Sequence, residues 1–168
     1  MKKVIPFLSL IILLITTAPA YTGRKELSYR IDSWSLLTDD VTATVYNAVP
    51  SQCNADYVHT ASMFTLNLDD IASNHVLAME RTMMKELGVY YGDIVLVTGA
   101  GCHDGIWRVE DTMNKRFAGE HRIDFLVPSH IRYGKWTGVR IYAPADEWTR
   151  EAALLRLSGG SADRLAAQ

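Results

Sequence analysis

At 168 residues the chain is long enough for one domain with its own core. Its 17 basic and 19 acidic residues give a net charge of −2, and leaving out Lys2 and Lys3 takes this to 15 against 19, a net of −4. That balance argues against a phosphate-binding basic face or a polybasic membrane surface, so nucleic acid is not an expected partner, whereas neutral glycans need no charge match.

Met1-Lys2-Lys3 is a short positive start, residues 4–15 are almost wholly apolar, and Ala18-Pro19-Ala20 fits a small-x-small cleavage site. This predicts a signal peptide over residues 1–20, a mature chain from Tyr21 and export to the periplasm or the cell exterior. An anchor helix would need a longer run, and this one contains Pro6. No cysteine stands beside the cleavage site to carry a lipid, so no stable membrane span or lipid anchor is expected after cleavage. Residues 21–40 read as an N-terminal extension in which Leu27, Tyr29 and Ile31 alternate weakly as a strand would.

The expected barrel domain covers residues 41–143. Residues 41–46 are rich in β-branched side chains and end in an Asn-Ala-Val-Pro turn signal. Residues 74–79 form a short apolar run, and residues 80–87 predict one or two helical turns stopped by Gly88. A strand over 93–98, a glycine-bearing turn over 99–105 and a returning strand over 106–111 follow. Strands over 123–127 and 137–142 complete the set. Many short strands joined by such turns favour a mainly all-β small barrel or sandwich over a layered α/β fold. Residues 144–168 read as a C-terminal helix or tail. Asp146 and Glu147 occupy the first turn of that helix, Trp148, Ala152 and Leu155 one face, and Gly159-Gly160 its stop.

Several local signals point elsewhere and fail on spacing or context. In Gly99-Ala100-Gly101, Asp104 stands where a dinucleotide loop needs its third glycine, and a strand follows rather than a helix. Cys102 and His103 are neighbours that would face opposite sides of a strand, with no second base in view. The five histidines lack zinc-site spacings, so neither a metal nor a cofactor is expected. In an oxidising compartment Cys53 and Cys102 are a candidate disulfide closing a long loop; two buried thiols are the alternative.

Three aspartates stand in distinct frames. Asp56 precedes Thr60-Ala61-Ser62, Asp111 lies in Val109-Glu110-Asp111-Thr112, and Asp124 lies in Arg122-Ile123-Asp124-Phe125. The last two sit at or beside the ends of strand-like runs, where a carboxylate is held rigidly with its tip facing a groove. Together with Val76-Leu77-Ala78-Met79-Glu80, Gly92-Asp93-Ile94-Val95 and Gly138-Val139-Arg140-Ile141-Tyr142, their order over residues 41–142 resembles the three-aspartate (3D) domain. That domain belongs to the rare-lipoprotein-A-like double-psi β-barrels, a group that includes membrane-bound lytic transglycosylase A, stationary-phase muralytic proteins and, more distantly, expansins.

The resemblance implies a six-stranded double-psi barrel with short helical turns and a groove across one face. It implies Asp124 as general acid and base, Asp111 as a second groove carboxylate and Thr60 beside the cleft. Asp56 and Glu80 follow as substrate-binding residues, with Glu80 standing where the family often has Asp. The chain departs from the family pattern at Met63 and Met113, where glycine is usual. The activity implied is that of a peptidoglycan lytic transglycosylase, which cleaves the bond between N-acetylmuramic acid and N-acetylglucosamine and leaves a 1,6-anhydro end.

Such a reaction needs one carboxyl that is protonated near neutral pH. Burial and facing carboxylates from Asp111 and Glu80 are the expected means of raising the pKa of Asp124. The alternative class is a non-catalytic glycan or cell-wall binding module, with Trp107, Trp136 and Tyr133 as candidate stacking faces.

Overall fold

The computed structural model describes residues 31–53 and 56–159. The expected signal peptide and cleavage site, and residues 21–30 of the extension, lie outside the described residues. Six strands close into one barrel: β1 (Trp34–Tyr46), β2 (Val76–Met79), β3 (Ile94–Thr98), β4 (Gly105–Thr112), β5 (Arg122–Leu126) and β6 (Lys135–Pro144). Around the barrel they run β1-β5-β2-β4-β3-β6. The β1–β5 and β2–β4 pairs are parallel and the other pairs antiparallel. Among the described residues two α-helices, α1 (Arg81–Leu87) and α2 (Glu147–Leu157), complete the mainly β fold with a C-terminal helix that the patterning predicts.

Side-chain alternation explains which surface each strand buries. Along β1, Val41 and Ala43 are fully buried and Val45 packs against them, while Thr42, Thr44 and Tyr46 take the opposite face. The nearly unbroken apolar run of β3 has a different cause. Val95 and Val97 point into the barrel, whereas Ile94 and Leu96 lie in a second cluster beneath α2, with Trp34, Ile106, Tyr142 and Ala153. A strand covered on both faces has no polar side to display.

Three expectations need correction. The first strand begins at Trp34 rather than Val41, because Trp34, Ser35 and Leu36 pair with Pro144, Ala143 and Tyr142 of β6. Register shifts between Leu36 and Thr38 and between Thr38 and Val41 carry the pairing past the exposed Asp39 and Asp40. The barrel domain therefore includes part of the supposed extension. The buried face of α2 is also different: Thr149 and Ala153 are buried, Leu154 and Leu157 pack beside them, and Trp148 is 61% exposed. The barrel's outer apolar patch decides which stripe docks, and a short helix with many apolar residues offers more than one.

The third correction is the disulfide. Both cysteines are free thiols. Cys53 follows β1, and its Sγ donates to the Asn47 carbonyl at 3.4 Å. Cys102 is exposed in the turn between β3 and β4. The neighbours of β1 are β5 and β6, so that turn belongs to another part of the barrel rim. An oxidising compartment favours a bridge only between thiols that the fold brings together.

Glu80 and Gly88 delimit α1. Glu80 is the N-cap, its carboxylate accepting from the Thr82 and Met83 amides at 2.9 Å, and Gly88 ends the helix at φ 67°. Burial pushes the Glu80 carboxyl up, but the amide hydrogen bonds outweigh it and hold the group below its ordinary value. Glu80→Ala is therefore expected to cost about 1–2 kcal/mol at neutral pH by urea unfolding. A depressed carboxyl pKa contributes stability that is present above the unfolded-state pKa and lost as pH falls through the folded one. The two proteins should thus converge in stability on acidification.

Candidate functional site

The outward faces of four adjacent strands, β1, β5, β2 and β4, form the floor of a groove of about 850 Å³. Its centre is a single row across the barrel: Thr44 pairs with Asp124, Asp124 with Ala78, and Ala78 with Asp111. The small Ala78 side chain leaves the space between the two aspartates open. Strand spacing puts their Cα atoms roughly 9–10 Å apart.

Asp111 reaches this row through a β-bulge. Leu77 pairs with Val109, but Ala78 pairs with Asp111, so Glu110 is the extra residue. Without the bulge Glu110 would occupy the row, since a one-residue shift exchanges the two faces of a strand. A loop then docks on the bulge. Ser62 donates from its amide to the Glu110 carbonyl at 3.1 Å and from its hydroxyl to the Glu110 carboxylate at 2.6 Å. Ala61 N–H donates to Asp111 Oδ1 at 3.1 Å, and the Tyr46 hydroxyl donates to Asp111 Oδ2 at 3.0 Å. Asp111 thus ties the Thr60-Ala61-Ser62 loop to β1 and β4. Thr60 lines the groove but is buried, and its hydroxyl serves the loop through Ser62 Oγ at 2.9 Å and Phe64 N–H at 3.2 Å.

The loop carries one strained backbone position. Met63 has φ 70°, in the left-handed region that suits glycine, and its side chain is 71% exposed and outside the groove. Met63→Gly is expected to stabilise the protein by about 0.5–1 kcal/mol, since relief of the strain outweighs glycine's extra entropy in the unfolded chain. A rise in the urea midpoint at unchanged slope is the signature to measure. Met113, by contrast, is buried and lines the groove.

Asp124 is the perturbed acid of the site. The Thr44 hydroxyl donates to its Oδ1. Burial pushes its carboxyl up to about 6, against the nearby Arg122 and Arg116 charges, with a smaller upward contribution from Asp111. Desolvation is therefore the main cause, and repulsion between carboxylates the lesser one. Asp111 in turn pushes the Tyr46 phenol further up, after burial itself.

The remaining expected residues divide. Asp56 is exposed at the groove rim, where its carboxylate accepts from the Val58 and His59 amides at 3.2 Å and pairs with His59 Nδ1 at 2.8 Å. The His59 imidazole bonded to it holds the Asp56 carboxyl below its usual range, so Asp56 is an ionised loop cap. Glu80 does not line the groove; its carboxylate is buried as the cap of α1. It therefore neither faces Asp124 nor reaches a substrate there. Trp107 is buried in an aromatic cluster with Phe125 and His103, and neither Trp136 nor Tyr133 lines the groove, which removes all three as stacking faces there.

Thr44 and Tyr46, the hydroxyl partners of the two aspartates, lie outside the set of residues that the sequence motifs mark. Their signal is the period-two polar face Thr42-Thr44-Tyr46 on the first strand. Among the described residues no helix is long and apolar enough to cross a membrane, and no group of three or more His, Cys, Asp or Glu side chains is arranged to hold a metal ion. No family model matches this chain, and no curated protein sequence matches it.

Proposed function

We propose that this protein is an exported peptidoglycan lytic transglycosylase with Asp124 as its single general acid and base. One observation carries the reading. A largely buried carboxyl, with a hydroxyl donating to it and a pKa of about 6, stands at the centre of a groove large enough for sugar rings. The signal peptide expected from the sequence and the order of the three aspartates add to it.

In this mechanism protonated Asp124 gives its proton to the bridging oxygen as the bond to muramic C1 breaks. The N-acetylglucosamine side leaves as the alcohol, and an oxocarbenium-like centre remains. The Asp124 carboxylate then takes the proton of the muramic C6 hydroxyl while that oxygen bonds to C1. The acid is regenerated, a 1,6-anhydro ring closes, and no water is consumed. Thr44 orients the carboxyl between the two proton transfers, and Asp111 holds the loop wall in place.

Incubation of the purified protein with sacculi and analysis of the released muropeptides tests the reading. Anhydro ends are the expected product. Retention on sacculi without any anhydro ends would instead assign the chain to the non-catalytic glycan-binding class. The pH profile gives a finer check. Asp111 raises the pKa of Asp124, so Asp111→Asn should move the alkaline fall in activity to lower pH while some activity remains.

A further inference from the structure

The groove is electrostatically uneven along its length. Past Asp124, at one end, it gathers Arg81 from the start of α1, Lys115 and Arg116 from the turn after β4, and Arg122 from β5. Arg122 shares the outward face of Asp124, two residues away along the strand. Among the described residues the ion pairs of this cluster reduce to one, Arg122 to the exposed Glu120 at 3.3 Å. The Arg116 and Arg122 guanidiniums both lie over the Phe117 ring, 4.6 and 4.5 Å from its centre, which restrains two like charges near each other. Among the described residues Arg122 Nε is buried without a hydrogen-bond partner, so the charge of this guanidinium is incompletely compensated. Cations that are gathered, restrained and underpaired make a receptor for an anion, and the planar guanidinium fork suits a carboxylate.

We propose that this end of the groove is an anion subsite that receives a carboxylate of the glycan beside the bond presented to Asp124. The proposal rests on the peptidoglycan reading above, which limits the carboxylate to two sources: the lactyl group of the muramic residue or its peptide stem. A neutral polymer of N-acetylglucosamine alone would leave the subsite empty. The subsite thus gives the protein a means of selecting muramic-acid-containing strands from neutral ones.

Calorimetric titration decides the matter, with an N-acetylglucosaminyl-N-acetylmuramic acid disaccharide as free acid and as methyl ester, and with its dipeptide-bearing form as acid and ester. The comparison protein carries Arg81→Gln and Arg116→Gln, both at exposed positions, with its fold checked by thermal melting. The wild type is expected to bind the acid about tenfold more tightly than the ester, and the double variant to lose that preference. A preference seen with the plain disaccharide assigns the lactyl carboxylate; one seen only with the dipeptide-bearing sugar assigns the stem. Equal binding of acids and esters by the wild type overturns the subsite. Discrimination without release of anhydro ends from sacculi keeps the subsite and removes the lytic reading. Anhydro release without discrimination removes the subsite alone, and no binding of any form removes both.

Discussion

Replacing Asp124 by Asn is expected to abolish release of anhydro muropeptides while leaving a folded protein. The amide keeps the shape of the side chain and can still accept from the Thr44 hydroxyl, but it holds no proton that can be given and retaken. Loss of a general acid typically costs 10²–10⁴-fold, and here one group performs both transfers, so activity should fall by roughly 10³-fold or more. Stability should move in the opposite direction. A carboxyl whose folded-state pKa is raised to about 6 folds without this penalty when protonated, at pH below its unfolded value. It costs progressively more as pH rises from near 4 through 6, where the buried group must ionise. At pH 7 Asp124→Asn should therefore be more stable than wild type by roughly 1–3 kcal/mol, and the difference should shrink toward pH 4. Urea unfolding at several pH values measures this directly. A variant with full cleavage would mean that another group is the acid, and a difference that does not vary with pH would mean that Asp124 is ionised in the folded protein without cost.

The largest stability loss is expected at the neighbouring residue, Phe125→Ala. Phe125 is fully buried on the inner face of β5, with the Trp107 ring centre at 4.6 Å and the His103 ring stacked at 5.1 Å. Truncation removes the apolar surface and leaves a cavity that this aromatic cluster cannot fill, at a cost of about 3–5 kcal/mol. Against the 5–15 kcal/mol typical of a single domain, that is a large fraction of the total. Asp124 and Phe125 are adjacent and face opposite sides of one strand, so the packing of the ring also sets how firmly the acid is held. The urea midpoint should fall steeply, and activity per folded molecule should fall with it. A loss below about 1 kcal/mol would show that the cluster is loosely packed and does not support the site.

Two groove carboxylates are legible in the sequence, while their hydroxyl partners Thr44 and Tyr46 are not. Asp111 and Asp124 stand in strand-like runs, and both line the groove. Glu80 shows how the same kind of signal misleads. A carboxylate directly after an apolar strand serves equally as a groove residue or as the N-cap of the next helix, and two helix amides took it. The cysteines failed for a related reason. Export bears on whether thiols oxidise, while only strand order says whether they meet.

By itself the sequence determined the local elements: β-branched and apolar runs for the strands, and helical turns after the second strand that stop at Gly88. These are short-range properties, set by side-chain shape and by neighbours along the chain. Tertiary structure decided what depends on residues far apart in sequence. The bulge at Glu110 brings Asp111 rather than its neighbour into the row with Asp124. The outer apolar patch of the barrel selects the face of α2. Closure of β1, β5, β2 and β4 side by side gathers carboxylates and arginines from separate segments into one groove. The pKa of Asp124 belongs to this second group, because it follows from desolvation, and desolvation exists only once distant strands have packed around the side chain.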